Sequence, residues 1–347
     1  MSNLQLEVYK DLTPALQIQW QNLWENAINA HSFNSPLWWL TCMRTYTYKD
    51  RYLVFAKKNQ ILSAILPLVK KHVFGVQALT SPGGKYLDKS TLVLKDPGTI
   101  NLAEVIVRFG LKENIYLQEV DEKVLTLNGA EYSKRESSKN PFLVLKPDPF
   151  RYFSKRQQRK IKITLNHIKN DIVYKTFTAN REALETAFMI DKNSVKREAG
   201  RAAFPAKQDE DFFRNLLSAF RNQVVIDILY LKNVPIIFYL GLVYKKTYHA
   251  YSTSYVSGYK YLVPGKLMLY YLIKRLVQEG YETLDFSRGR DRLKMDFTPN
   301  YTTQYDCLVS PNIAITKIWE TANKTRERIV ETPWLYNPYC TLKKLLI

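Results

Sequence analysis

The apolar positions of this chain switch between two periods. Residues 13–30 place Leu16, Trp20, Leu23, Trp24 and Ala27 three or four apart, the spacing of one buried helical face. Asn34-Ser35-Pro36 follows, a capping residue ahead of a proline at the first helical position, and predicts a second helix through LWWLTCMRTY. The pattern then becomes that of extended chain, with strands predicted at 52–57 and 61–70. TSPGGKYLD at 80–88 reads as a loop, 101–120 as a helix and a strand, and PFLVLKPDP at 141–149 as a strand running into a linker. Beyond it, helices are predicted at 154–169, 181–197 and 209–221, and strands at 224–231, 235–244 and 247–255. PGKLMLYYLIKRLVQEG at 264–280 has proline at its start, glycine at its end and an apolar face between them, all helix signals. ETLDFS at 282–287 reads as a short buried strand and 313–330 as an amphipathic helix.

Two stretches of this pattern resemble each other. KNQILSAILPLVKK at 58–71 and KNVPIIFYLGLVYKK at 232–246 each follow an extended run, turn at Lys-Asn and end in two basic residues. Asparagine tolerates the positive φ of a tight hairpin turn, so both segments predict hairpins. Their offset of 174 is close to half of the 347 residues, which points to tandem copies of one fold. The expected division is 1–149 and 150–347, the first half structural or acceptor-binding.

Composition narrows the class. An apolar fraction of 46% suits a packed globular protein rather than a disordered one. The three cysteines, Cys42, Cys307 and Cys340, show no metal-ligand spacing, so no metal is expected and a reducing compartment is. The first residues lack a basic-then-apolar leader, and the longest apolar run, 234–244, is about half of a membrane span. A cytoplasmic protein with no transmembrane segment is therefore expected. Charge is uneven: residues 1–146 hold 18 basic and 13 acidic groups, residues 147–347 hold 33 and 19. A surplus of +14 in the second half favours an anionic partner.

The candidate chemistry gathers late in the chain. Gly265-Lys266-Leu267 opens the 264–280 helix, where free N–H groups and the dipole would attract an anion. LDFSRGRDRLK at 284–294 drives a buried strand into Arg288, Arg290, Arg292 and Lys294, with Gly289 allowing a sharp turn. The helix at 154–169 carries six cations and no acid, a face for phosphates. No phosphate loop, nucleophile elbow or His/Cys zinc spacing is present.

SFNSPLWW at 32–39, PGKL at 264–267 and DFSRGRDRLK at 285–294 carry a resemblance that spans nearly the whole chain. It is to the GNAT-fold acetyltransferases of the CelD, or BioF2-like, group, which are related to Fem-type peptidyl transferases; Leu293 stands where their pattern has tyrosine. The resemblance implies an α/β (α+β) fold of two tandem GNAT-like modules, each a mixed sheet flanked by helices, with the acyl-CoA site in the second. The strands at 247–255 and 282–287 would splay apart and hold the thioester, with Val263, Gly265, Lys266, Leu267, Arg288 and Gly289 around the cofactor. Asp285, Lys294, Tyr251 and Tyr255 are the catalytic candidates, Asp285 pointing away from the core towards Lys294 or an arginine. His249 is read as a structural histidine of a tyrosine-rich strand. Where the family has a His/Trp-rich substrate loop, this chain has Lys196, Arg197 and Arg201; with Arg290 and Arg292 they suggest an acidic or nucleotide-linked acceptor. The expected activity is acyl-CoA-dependent N-acylation of a sugar, an amino acid or a related amine, in polysaccharide or cell-envelope synthesis. Aminoacyl-tRNA as donor is the alternative, and a basic nucleic-acid or membrane binder with a degenerate site is a third reading.

Overall fold

The computed structural model describes residues 4–331 except 74, 97–104, 107, 110–112, 123–131, 290–291 and 296; of 292–293 and 326–331 it describes the backbone alone. The first half runs β1 (Leu4–Tyr9), α1 (Pro14–Glu25), α2 (Pro36–Thr45), β2 (Arg51–Lys58), β3 (Ile61–Val73), β4 (Val76–Thr80), β5 (Val93–Leu94), β6 (Asn114–Asp121) and β7 (Tyr132–Val144). The second runs α3 (Lys155–Ile168), β8 (Ile172–Thr178), α4 (Arg181–Lys192), α5 (Lys207–Phe220), β9 (Val224–Leu231), β10 (Val234–Tyr244), β11 (Thr247–Tyr255), α6 (Pro264–Gln278), β12 (Thr283–Asp285), β13 (Tyr301–Val309) and α7 (Ile313–Glu331). Helix starts follow their caps: Ser35 Oγ accepts from Trp38 N at 3.3 Å, and Ser154 and Gln157 form a reciprocal capping box. The loop expected at 80–88 is preceded by a strand, β4, and includes one 3-10 turn, Gly84–Tyr86.

One mixed sheet contains both halves, in the order β1-β2-β3-β4-β6-β13-β7-β12-β11-β10-β9-β8, with β5 pairing β3 at the side. Read inwards from either end, this order repeats. Three antiparallel strands lead to a fourth, which pairs in parallel with the next: β4 with β6 and β11 with β12. The hairpin β2-β3 turns at Asn59-Gln60 and β9-β10 at Lys232-Asn233, with positive φ at both residues of each turn. Pairing of Lys58 with Ile61 and of Leu231 with Val234 makes the offset 173, one residue less than the match of Lys-Asn pairs suggests. The central strands are exchanged. β7, from the end of the first half, pairs with β12, and β13, from the end of the second, pairs with β6. Each half therefore completes its part of the sheet with the other's strand.

Helices cover both faces. On one, α1, α2, α4 and α5 bury Trp20, Phe33, Trp38, Phe188, Phe212 and Phe238 in a core drawn from both halves. On the other, α6 lays Leu267, Met268, Leu272, Ile273 and Leu276 over the second half's strands. A buried polar hub fixes that helix. Asp227 on β9, with 0% exposure, accepts hydrogen bonds from Tyr174 at 2.6 Å, Thr176 at 2.8 Å, Tyr248 at 2.8 Å and Arg275 Nη2 of α6 at 3.1 Å. Four donors on one carboxylate tie β8, β9, β11 and α6 together and set where α6 begins.

Candidate functional site

β11 and β12 run side by side for three residues, Thr247–His249 against Thr283–Asp285. β12 then stops, while β11 continues to Tyr255, so the two strands part. A bulge marks the parting on β11: Leu240 faces Ser252 and Gly241 faces Ala250, leaving Tyr251 without a partner on β10. α6 follows β11 through a single 3-10 segment, Ser257–Leu262. Its cap, Val263, has φ 49 and ψ 52, a left-handed conformation that costs a β-branched residue about 1–2 kcal/mol. Val263 O accepts from the amides of Lys266 at 2.9 Å and Leu267 at 3.3 Å, and Pro264 has no N–H. Of the four expected donors at this helix start that leaves Gly265, which has open space beside it: no atom lies within 4 Å of where a Cβ would stand.

Asp285, the last residue of β12, turns inwards. Its carboxylate accepts from Ser287 N at 2.7 Å and from Lys89 Nζ at 2.6 Å, and His249 Nδ1 lies 3.3 Å away without the alignment of a hydrogen bond. Burial would raise its pKa, but the adjacent Lys89 and His249 outweigh it and hold the carboxyl well below its usual range. Lys89, from the first half, thus takes the place expected for Lys294 or an arginine. Lys294 Nζ instead donates to Arg288 O at 2.8 Å. Burial and Lys89 push the His249 pKa down, and the same two causes push His31 further down. Both imidazoles are therefore neutral bases at pH 7. His31, Lys89, His249, Asp285 and Glu119 line a cleft of about 380 Å³ over the face of the parallel pair.

The other expected site residues divide. Arg288 is engaged internally: Nε lies 3.0 Å from Asp88 Oδ1, Nη1 lies 3.5 Å from Glu119 Oε1, and Nη2 donates to Lys85 O. Its side chain is still 32% exposed, but two buried carboxylates claim its charge; burial raises the Asp88 pKa to about 6 despite the arginine. Gly289 makes its sharp turn at φ 130. Tyr251 is packed by Phe33, Trp38 and Phe213, and its hydroxyl donates to Tyr86 O at 2.7 Å. Burial pushes its pKa well up, which ill suits a proton donor. Tyr255 is half-buried against the core under α6. Lys196 Nζ reaches Thr253 O on β11 at 2.8 Å. Arg197 braces its own loop through Phe204 O at 2.7 Å and Asp191 at 3.4 Å, and Arg201 is exposed. Arg290 lies outside the described residues, as does the side chain of Arg292. His31, Asp88, Lys89 and Glu119 were not foreseen; all four come from the first half.

Comparison with known proteins agrees with this geometry. Residues 152–295 match the family model described as acetyltransferase (GNAT) domain. The crystal structure of FemX superposes with a TM-score of 0.62 at 12% identity, covering 88% of this chain and 98% of that one. The structure of L-PGS from Bacillus licheniformis gives 0.56 at 12%, covering 91% and 98%. The C-terminal domain of a putative lysylphosphatidylglycerol synthetase from Agrobacterium fabrum gives 0.57 at 10%, covering 90% and 96%. No curated protein sequence matches the chain. Residues 152–295 thus resemble a GNAT acetyltransferase domain, and nearly the whole chain shares the fold of these three structures. Among the described residues no cluster of three or more His, Cys, Asp or Glu side chains is placed to hold a metal. No described helix is long and apolar enough to cross a membrane.

Proposed function

We propose that the chain is an acyl-CoA-dependent N-acyltransferase whose donor lies in the opening between β11 and β12. The observation that carries this reading is the parting of that strand pair directly above a neutral His249 backed by Asp285 and Lys89. The thioester would enter the opening with its phosphates towards the Gly265 amide and the Lys266 side chain at the start of α6. Asp285 beside Nδ1 favours the tautomer with its proton there, which leaves Nε2 as the general base. His249 takes the proton from the attacking amine, the nitrogen bonds to the acyl carbon, and the bulged Tyr251 amide is the candidate donor to the oxyanion. Collapse of the intermediate breaks the carbon–sulfur bond, and the departing thiolate takes the proton held by His249, which returns the imidazole to its neutral form. Polysaccharide or cell-envelope synthesis, as the setting, rests on the sequence resemblance alone.

A depressed histidine pKa has a readable sign. The base works unprotonated, so kcat at saturating acceptor is expected to hold level from pH 8 to 6.5 and to fall only below the ordinary histidine value of 6.5. Stability moves the same way through the two buried imidazoles. The unfolded chain binds their protons at higher pH than the folded one, so each contribution is lost as pH falls below 6.5. A rate profile on protein shown to stay folded separates the two; an acid limb above pH 7 would remove His249 as the base.

Aminoacyl-tRNA is the second reading. α3 exposes Lys155, Arg156, Arg159, Lys160 and Lys162 along one helix, a fitting surface for a phosphate backbone. Calorimetric titration with acetyl-CoA and a long-chain acyl-CoA, beside filter retention of charged tRNA across a salt series, tests both. Thioester binding with salt-insensitive tRNA background supports the first; steep salt-dependent tRNA retention with no thioester binding transfers the reading to the second.

A further inference from the structure

We propose that the first half holds a second binding site, for a phosphate or carboxylate group, where Thr80, Ser81 and Lys71 meet beside the Gly83-Gly84 turn. The repeat supplies the setting. β4 pairs with β6 over Ala78–Thr80 and Asn114–Tyr116, then stops while β6 runs on to Asp121, as β12 stops beside β11. A polar cleft of about 720 Å³ occupies this second opening.

Its lining has unspent donors. Thr80 and Ser81 are 3% and 1% exposed, both line the cleft, and neither hydroxyl has a hydrogen-bond partner. Buried hydroxyls are normally satisfied, so a pair left open in a roomy polar cleft points to a ligand that accepts from them. Lys71 supplies charge. Its ammonium sits 5.0 and 5.6 Å from the ring centroids of Tyr48 and Tyr46 and has no carboxylate partner among the described residues. Burial lowers its pKa, offset only in part by the Cys42 thiol, so an anion beside it would be stabilising. The cleft's other strong cations are already balanced, Arg135 by Asp306 at 2.7 Å and Arg288 by Asp88 and Glu119. The loop packs Gly83 under Trp38 and brings Gly84 to the cleft beside Lys71. Gly83 has φ 107, and a Cβ on it would stand 2.7 Å from the Trp38 ring; at Gly84 the nearest neighbour of a Cβ would be the Lys71 ammonium, 3.8 Å away.

Glu119 lines both this cleft and the one over Asp285, which makes the two adjoining. The anion is accordingly assigned to the acceptor, an assignment that rests on the proposed transfer reaction; the anion site itself does not.

Trace acetylation of the intact folded protein with N-hydroxysuccinimidyl acetate, read by peptide mass spectrometry, tests it without any donor or acceptor. Inorganic phosphate at about ten times its dissociation constant is expected to slow labelling of Lys71 about tenfold. Exposed Lys232 should be unaffected, and the double variant Thr80→Val, Ser81→Ala should lose the protection while Lys71 still labels. Acetate at matched ionic strength distinguishes the two anions: stronger protection by acetate makes the group a carboxylate, stronger protection by phosphate a phosphate. Protection equal to that by chloride, protection that persists in the double variant, or a Lys71 that never labels would overturn the proposal. None of these outcomes bears on thioester binding in the second half, so the two readings fail separately.

Discussion

Asp285→Asn is expected to lower kcat about 100- to 10,000-fold while leaving the affinity for the acyl donor nearly unchanged. The amide keeps the shape of the side chain but removes the charge that Lys89 and His249 share. Without it the imidazole loses its reason to keep the proton on Nδ1, and Lys89, 2.6 Å from the former carboxylate, is left as an unbalanced buried cation. Asp285 acts through His249, so it is a positioning residue, and its pH profile discriminates. In the variant the acid limb should move to lower pH, because the nearby anion that favoured imidazolium is gone and Lys89 remains. Asp285→Glu, which restores the charge, should recover part of the rate. An unchanged kcat in a folded Asp285→Asn protein would remove the residue from the reaction.

The second large effect is structural. Arg275→Leu should destabilise the protein by about 3–5 kcal/mol, because it strands Asp227, at 0% exposure, without its cation. Tyr174, Thr176 and Tyr248 would remain as donors, so the loss is expected to come from uncompensated charge rather than from unmade hydrogen bonds. The double variant Asp227→Asn, Arg275→Leu should therefore be more stable than Arg275→Leu alone. Urea denaturation of the three proteins measures this, and equal stability of the single and double variants would show that the charge is not what matters. Thioester binding should fall with Arg275→Leu as well, since the hub fixes the helix whose first turn carries Gly265.

The two periods of the apolar pattern were sufficient to read most elements of the second half. Strands β9 and β11 occupy the expected residues, and α6 starts at Pro264 as its signal required. The hairpin repeat was legible because its turns demand residues that tolerate positive φ, although Gln60 and Lys232 share that conformation without advertising it. Strands β8 and β13 were not read. β8 half-buries Tyr174 but exposes Val173, Lys175 and Thr176, and β13 opens with the polar run Tyr301-Thr302-Thr303-Gln304, because as an internal strand it gains from backbone pairing on both sides rather than from an apolar face. The exchange of β7 and β13 is a long-range pairing with no local signature.

The site was legible only in part, for a related reason. Asp285 and the opening of α6 lie beside each other in one stretch of chain and share a recognisable motif. Lys89 and His31 reach the same place from nearly 200 residues and more away, from a loop and a helix approach that read as turn chemistry and capping. Charges that balance one another across two halves of a fold, as Arg288 does with Asp88 and Glu119, appear in the sequence as free cations, indistinguishable there from ligand contacts.

The most direct measurement is a crystal structure of the protein with a thioether analogue of acetyl-CoA, which binds but cannot transfer. The expected result places the acyl group between β11 beyond His249 and β12 beyond Asp285, with the pyrophosphate against the Gly265 amide. An analogue bound elsewhere on the chain, or strands β11 and β12 closed on each other with no ligand between them at saturating concentration, would contradict the account.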